Sequence, residues 1–153
     1  MNKTTRRTFL QQTIGLFTLS LSGGFNIATA AWQKELFSPA SADELISSLT
    51  NNSELVVSDA IHIKAPEIAE NGAVVPVTVD TSIENVNKIS ILVDNNPSPL
   101  TSSYDINPNL EAYVSTRVKM AKSSNIVAVV STTDNQHFTA SKKIKVTIGG
   151  CGG

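Results

Sequence analysis

Five consecutive apolar residues, Ile126-Val127-Ala128-Val129-Val130, form the stretch that decides the fold. Side chains alternate between the two faces of a β-strand, so Ile126, Ala128 and Val130 would share one face. Val127 and Val129 would then lie on the opposite face, which is equally apolar. A short valine-rich run that is apolar on both faces predicts a strand in the middle of a sheet.

Four further segments have the period-two alternation of half-buried strands. Their expected inward residues are Val75, Val77 and Val79; Ile89, Ile91 and Val93; Ala112, Val114, Thr116 and Val118; and Ile144, Val146 and Ile148. Pro76 predicts an edge strand or a bulge for the first, because proline cannot donate to a strand ladder. With an early strand around Ala60 to Lys64, we expect six or seven strands. Turn signals recur about every dozen residues, which favours an all-β, antiparallel β-sandwich.

Shorter sequence patterns predict a helix and the positions of the two histidines. Ser41 precedes Ala42-Asp43-Glu44 and an apolar-spaced run through Leu49, which predicts a short helix with Ser41 as its N-cap. His62 alternates with two isoleucines and is expected on the polar face of a strand. Asn135-Gln136-His137 is typical of a hairpin tip, so we expect His137 to be a solvated turn residue.

The first thirty residues have the features of an export signal. Arg6 and Arg7 precede an apolar stretch from Ile14 to Ala28, and Ala28 and Ala30 form an Ala-x-Ala cleavage site. The mildness of the apolar stretch and the arginine pair resemble a twin-arginine signal, although Gln11 stands where that pattern often has lysine. The stretch is too short and too polar for a stable membrane anchor. We therefore predict a signal peptide over residues 1–30 and a periplasmic mature protein, exported in a folded state.

Composition and charge exclude several classes of function. Hydrophobic residues make up 41% and charged residues 16%, which predicts a packed domain. Removal of residues 1–30 would take the formal net charge from −1 to −4, and nucleic-acid binding calls for a basic surface instead. The chain has no metal-ligand spacing, nucleophile elbow or phosphate-binding loop, so we expect neither an enzyme nor a cofactor or metal site.

The lone cysteine, Cys151, lies between Gly149-Gly150 and Gly152-Gly153. One cysteine cannot form an internal disulfide, which leaves a reactive thiol or an intermolecular bond. No neighbouring side chain is present to bury it, and glycine gives the backbone wide freedom. Residues 149–153, here called the arm, could reach ~16–18 Å when extended. We therefore predict a domain over residues 31–148 that carries a swinging arm with an accessible thiol.

The arm contains none of the groups that lower the pKa of a thiol, such as an adjacent cation, a helix N-terminus or a second cysteine. The chain's terminal carboxylate would oppose ionisation. Cys151 is therefore expected to be a poor nucleophile on its own, and partner enzymes would have to activate it.

The arm and three internal segments together resemble the SoxY family, the sulfur-carrier subunits of thiosulfate oxidation. Ile148-Gly149-Gly150-Cys151-Gly152-Gly153 resembles the C-terminal signature of that family. The internal segments, which are similar to stretches typical of the family, are residues 65–77, Asn95-Asn96-Pro97-Ser98-Pro99 and Thr116-Arg117-Val118-Lys119. The resemblance extends from about Leu45 to Gly153 and includes the export signal.

The resemblance implies an immunoglobulin-like β-sandwich that forms a heterodimer with a SoxZ-like subunit. It implies that a haem protein, SoxAX, joins thiosulfate to Cys151 and that SoxB then hydrolyses off sulfate. SoxCD-type enzymes would oxidise the remaining sulfur in some organisms. Cys151 would be the point of covalent sulfur attachment, and the protein would be a carrier on which these enzymes act.

Three other interpretations compete with this one. A blue-copper domain needs two histidines and a ligand loop around its cysteine, and His62 and His137 do not supply that arrangement. Ubiquitin-like carriers with a terminal Gly-Gly act in the cytoplasm, which the export signal contradicts. An exported structural or adhesive β-sandwich with a disordered tail is the remaining alternative. The sequence leaves open the partner-binding face, the role of a Cys151 disulfide dimer and the extent of the oxidation pathway.

Overall fold

The computed structural model describes residues 41–107 and 109–148. The predicted signal peptide with Arg6, Arg7, Ala28 and Ala30 lies outside these residues. The arm with Cys151 also lies outside them.

Along the described residues, one helix is followed by a series of strands. The elements are α1 (Ala42–Leu49), β1 (Leu55–Val57), β2 (Ile61–Lys64), β3 (Ile68–Asn71), β4 (Val75–Thr81), β5 (Val86–Val93), β6 (Leu100–Asp105), β7 (Tyr113–Val118), β8 (Ser124–Thr132) and β9 (His137–Ile148). Within the same residues, no helix is long and apolar enough to cross a membrane.

The strands form two sheets. The larger has the order β1-β9-β8-β5-β6, with β3 also paired to β9, and the smaller has the order β2-β4-β7. The pairs β5–β6, β5–β8, β8–β9, β2–β4 and β4–β7 are antiparallel. β1 and β3 run parallel to β9, β1 beside its beginning and β3 beside its end. The prediction of an all-β sandwich is confirmed.

The main core lies between the two sheets. The small sheet contributes Val75, Val77 and Val79, and the large sheet contributes residues such as Ile89 and Ile126, all of them fully or almost fully buried. The apolar residues that alternate in the sequence are thus the residues on the buried face of each strand.

β8 is a central strand of the large sheet, as its continuous apolar run predicts. Ile126, Ala128 and Val130 face the main core. Val127 and Val129 lie on the other face of the sheet, where they form a second cluster with Leu45 of α1. The strand is apolar on both faces because a helix covers the side that the small sheet does not.

Helix α1 begins where the sequence places it. Ser41 is the N-cap: its Oγ accepts from the Glu44 amide at 3.2 Å, and the Glu44 carboxylate accepts from the Ser41 amide at 3.2 Å. This reciprocal pair satisfies amides that would otherwise lack partners at the helix end.

Four details of the sequence prediction are wrong. The described residues form nine strands, whereas six or seven were expected. β4 is the middle strand of the small sheet and not an edge strand. Pro76 is compatible with this position because β2 pairs only with the part of β4 that begins at Thr78. His137 is the first residue of β9 and is buried, not a solvated turn residue. Ile148 is 70% exposed, because β9 extends past the main core.

Candidate functional site

The last residues of β9 lead directly to the segment that carries Cys151, and both sides of this strand are held. The amide of Lys145 donates to the Glu67 carbonyl at 2.9 Å, on the side of β3. The amide of Val146 donates to Ser123 Oγ at 2.9 Å, on the side of β8. The strand is therefore fixed between two neighbours at a point five residues before Cys151.

Beyond Val146, the contacts come from β3 and the turn that follows it. Thr147 Oγ1 donates to the Glu70 carbonyl at 2.9 Å. The amide of Gly72 donates to the carbonyl of Ile148 at 2.8 Å. We call the set Ile148, Thr147, Gly72 and Glu70 the foot of the arm. It brings regular structure to within three residues of the cysteine.

Gly72 connects the foot to the interior. Its carbonyl accepts from the Met120 amide at 2.7 Å, and the Met120 side chain is fully buried in the main core. The residues on either side of Met120 are held by the Asn96 side chain. Asn96 Nδ2 donates to the Lys119 carbonyl at 2.7 Å, and the Ala121 amide donates to Asn96 Oδ1 at 3.0 Å.

The structure thus brings together the three internal segments singled out in the sequence. Gly72 belongs to the first, Asn96 to the second and Lys119 to the third. Hydrogen bonds, together with the peptide bond between Lys119 and Met120, link them in series to Ile148. The sequence pattern alone did not give these segments a place beside the arm. One feature of the sequence could have indicated a special position for the first segment: Gly72 is the only glycine between Ala31 and Ile148.

The surface at the foot combines apolar and charged groups. Ile148, Ile68 and Val74 are 70%, 57% and 54% exposed, and the neighbouring Glu70 and Lys145 are also exposed. Among the described residues, no group of three or more histidines, cysteines or carboxylates could hold a metal ion. The described part of the site offers a support for the segment that follows and a surface for contact.

The two histidines lie on different sheets. His62 is exposed on β2, opposite Asp80, as predicted for a polar-face residue. Nearby, the Lys64 ammonium lies 2.8 Å from an Asp80 oxygen, and this hydrogen bond and the carboxylate charge raise the pKa of Lys64 above its ordinary value. Lys64 is largely exposed, so solvent screens the pair. His137 belongs to β9 of the large sheet.

Comparison with protein families decides what kind of chain this is. The model of the family described as "Sulfur oxidation protein SoxY" matches residues 46–151, which is more than half of the sequence. The chain belongs to the SoxY family. The matched region contains every described strand and the foot, and it ends at Cys151.

Solved structures agree with this assignment. The sulfur carrier protein SoxY from Chlorobium limicola f thiosulfatophilum is similar at 45% identity and a TM-score of 0.64. The alignment covers 69% of this chain and 96% of that one. A search of curated proteins finds no match. Family membership and this structural match support a sulfur-carrier role, and they confirm the immunoglobulin-like sandwich.

The fold is also shared with enzymes of another kind. The superoxide reductase (neelaredoxin) from Ignicoccus hospitalis has a TM-score of 0.52 at 19% identity, with 75% of this chain and 98% of that chain covered. A variant of the same reductase has a TM-score of 0.54 at 18% identity, with 60% and 94% covered. At such low identity the likeness concerns the fold alone.

Proposed function

We propose that the protein is a sulfur carrier of thiosulfate oxidation that holds sulfur intermediates covalently on Cys151. The observation that carries the proposal is the family match over residues 46–151, which ends at this cysteine. The ordered support up to Ile148 adds to it, because a fixed domain followed by a glycine-rich segment raises the effective concentration of a thiol at a docked partner.

The proposed chemistry begins with an oxidation. The sulfur of Cys151 forms a bond to the outer sulfur of thiosulfate, the thiol proton is released, and an electron pair passes to a haem protein of the SoxAX type. Water, directed by a SoxB-type hydrolase, then cleaves the bond between the outer sulfur and the sulfonate group. Sulfate leaves, and the outer sulfur stays on Cys151 as a persulfide.

The remaining steps divide the work among partners. A SoxCD-type enzyme oxidises the bound outer sulfur to a sulfonate, with oxygen taken from water and the electrons passed to that enzyme. A second hydrolysis by a SoxB-type enzyme then releases sulfate and frees the thiol. A SoxZ-like subunit forms the heterodimer. This chain acts as the substrate-bearing member of each step, and the glycines on both sides of Cys151 let the thiol enter narrow clefts.

We further propose that the protein is exported to the periplasm by the twin-arginine pathway, with cleavage after Ala30. Arg6 and Arg7 supply the export signal, and Ala28 and Ala30 the cleavage site. Export in a folded state is compatible with prior assembly with a subunit that lacks its own signal.

The direct test of the proposed function removes the thiol of Cys151 and then places a thiol at another position on the protein. Cys151→Ser is expected to abolish thiosulfate-dependent turnover and to leave the unfolding midpoint unchanged, since the substitution lies beyond the packed strands. In the same background, Ser47→Cys restores a thiol at an exposed position on α1. This matched variant is expected to remain inactive, because the thiol now lies on the body of the domain.

Two results would contradict the proposal. Normal turnover by Cys151→Ser would show that the cysteine is dispensable, as the structural or adhesive alternative predicts. Full activity of the Ser47→Cys variant would show that any exposed thiol suffices and that the arm has no special role.

A further inference from the structure

The hydrogen bond between Gly72 and Ile148 lies where the arm leaves the sandwich. We propose that Gly72 is a positioning residue that sets the direction in which the arm departs. The inference rests on the proposed function, because a direction matters only if Cys151 must be delivered to partners.

The Ile148 carbonyl belongs to the same planar unit as the amide of Gly149, because the peptide bond has partial double-bond character. A donor that holds this oxygen therefore restrains the orientation of the whole unit. The Gly72 amide lies 2.8 Å from the oxygen. The carbonyl of the last described residue before the arm is thus held by the sandwich.

The side of β9 that faces β8 gives less support at this point. The β8–β9 pairing reaches Ile144, which is opposite Ser124, and the Ser123 hydroxyl extends the contact to Val146. Among the described residues, Thr147 forms a hydrogen bond to β3 and Ile148 accepts one from Gly72. The turn after β3 is therefore the main support of the last residue before the arm.

Gly72 can serve as a support because it is itself held. Its carbonyl accepts from the amide of Met120, whose side chain is fully buried. Asn96 fixes both neighbours of Met120 through its amide nitrogen and oxygen. A series of short bonds thus runs from the β5–β6 turn through Met120 and Gly72 to Ile148.

A fixed point of departure confines the thiol to part of the space that an unrestrained arm of the same length would sample. The effective concentration at a partner docked on the favoured side rises accordingly. A small thiol reagent meets the cysteine from any direction and gains nothing from this restraint. The two kinds of reaction should therefore respond differently when the bond to Ile148 is removed.

The experiment compares Gly72→Pro, which lacks the donor, with Gly72→Ala, which keeps it. No described glycine has a positive φ, so alanine does not require a left-handed backbone at this position. Each full-length variant replaces the wild type in cells, and thiosulfate-driven loading of Cys151 is followed by mass spectrometry. Alkylation by iodoacetamide and the mobility of a nitroxide on Cys151 are measured on the purified proteins.

For Gly72→Pro we expect loading to slow by about fivefold, which corresponds to the ~1 kcal/mol of one hydrogen bond. Iodoacetamide should react at the wild-type rate, and the nitroxide should move faster. Gly72→Ala should resemble the wild type. Asn96→Ala removes the hydrogen bonds to the two neighbours of Met120 and so weakens the support of Gly72 indirectly. It should also slow loading, but by less than Gly72→Pro.

Loading of Gly72→Pro at the wild-type rate would overturn the inference, as would a parallel loss of iodoacetamide reactivity. If Gly72→Pro does not fold, wild-type loading of Asn96→Ala overturns it instead. A wild-type protein that never carries sulfur would refute the proposed function. The nitroxide measurement would then still decide whether Gly72 restrains the arm.

Discussion

Ser131 and His137 lie opposite each other across the β8–β9 hairpin, and Ser131 Oγ is 2.8 Å from Nδ1 of the imidazole. His137 is only 7% exposed. The polar neighbours Asn135 and Gln136 suggest a solvated tip, but the turn ends one residue before the histidine. The serine that satisfies the ring lies on the other strand, which is why the local sequence predicted the wrong environment.

Ser131→Ala is expected to lower the free energy of unfolding by ~1–3 kcal/mol, because a buried imidazole nitrogen loses its partner. Urea unfolding at neutral pH measures the change. Ser141→Ala, at an exposed position on β9, is the matched control and should stay within ~0.5 kcal/mol of the wild type. Equal stability of the two variants would contradict a structural role for the bond.

At the scale of elements, alternation and capping signals were sufficient for β2, β4, β5, β7, β8, β9 and α1. They were insufficient for β1, β3 and β6. β6 contains Thr101-Ser102-Ser103 and lacks an apolar stripe, while β1 and β3 have only three and four residues. β1 and β3 form by parallel pairing with β9, which follows far along the chain. Such pairing is decided by tertiary contacts and leaves little local pattern.

The same limit applies to the candidate site. The sequence predicted a site at Cys151 and the glycines of the arm, because their composition is unusual, and this prediction falls outside the described residues. It did not place Gly72 against Ile148, because that contact depends on β3 lying beside the end of β9. Gly72, Asn96 and Met120 share no motif, and only the fold brings them into one series of hydrogen bonds.

The cap of α1 allows a quantitative prediction for an element. Ser41→Ala removes the oxygen that accepts from the Glu44 amide and should cost ~1 kcal/mol in unfolding free energy. Thermal unfolding followed by circular dichroism measures it. Ser47→Ala, at an exposed position within the helix, should change stability by less than ~0.5 kcal/mol. A Ser41 variant as stable as Ser47→Ala would show that the cap contributes nothing.

At the scale of the whole molecule, we propose that three parts of the chain have separate tasks. We interpret residues 1–30 as the export signal, residues 31–148 as the carrier domain and residues 149–153 as the arm. The described strands supply a support that is packed on both faces of the large sheet. In the proposed function, the sulfur chemistry takes place on the thiol of Cys151, and partner proteins supply the catalytic groups.

Replacement of Arg6-Arg7 by two lysines is expected to block export, because the twin-arginine pathway depends on that pair. The uncleaved precursor should accumulate in the cytoplasm, as fractionation and N-terminal sequencing would reveal. Replacement of Lys3 by arginine is the control and should leave export unchanged. Normal periplasmic amounts of the double-lysine variant would contradict the proposed route.

Mass spectrometry of the mature protein from cells grown on thiosulfate, both intact and after digestion into peptides, tests the central claim most directly. The account predicts adducts of inorganic sulfur or thiosulfate on the protein, with all of them on the peptide that contains Cys151. It also predicts their loss on treatment with a thiol reductant. A Cys151 peptide that stays unmodified while the cells oxidise thiosulfate would contradict the account.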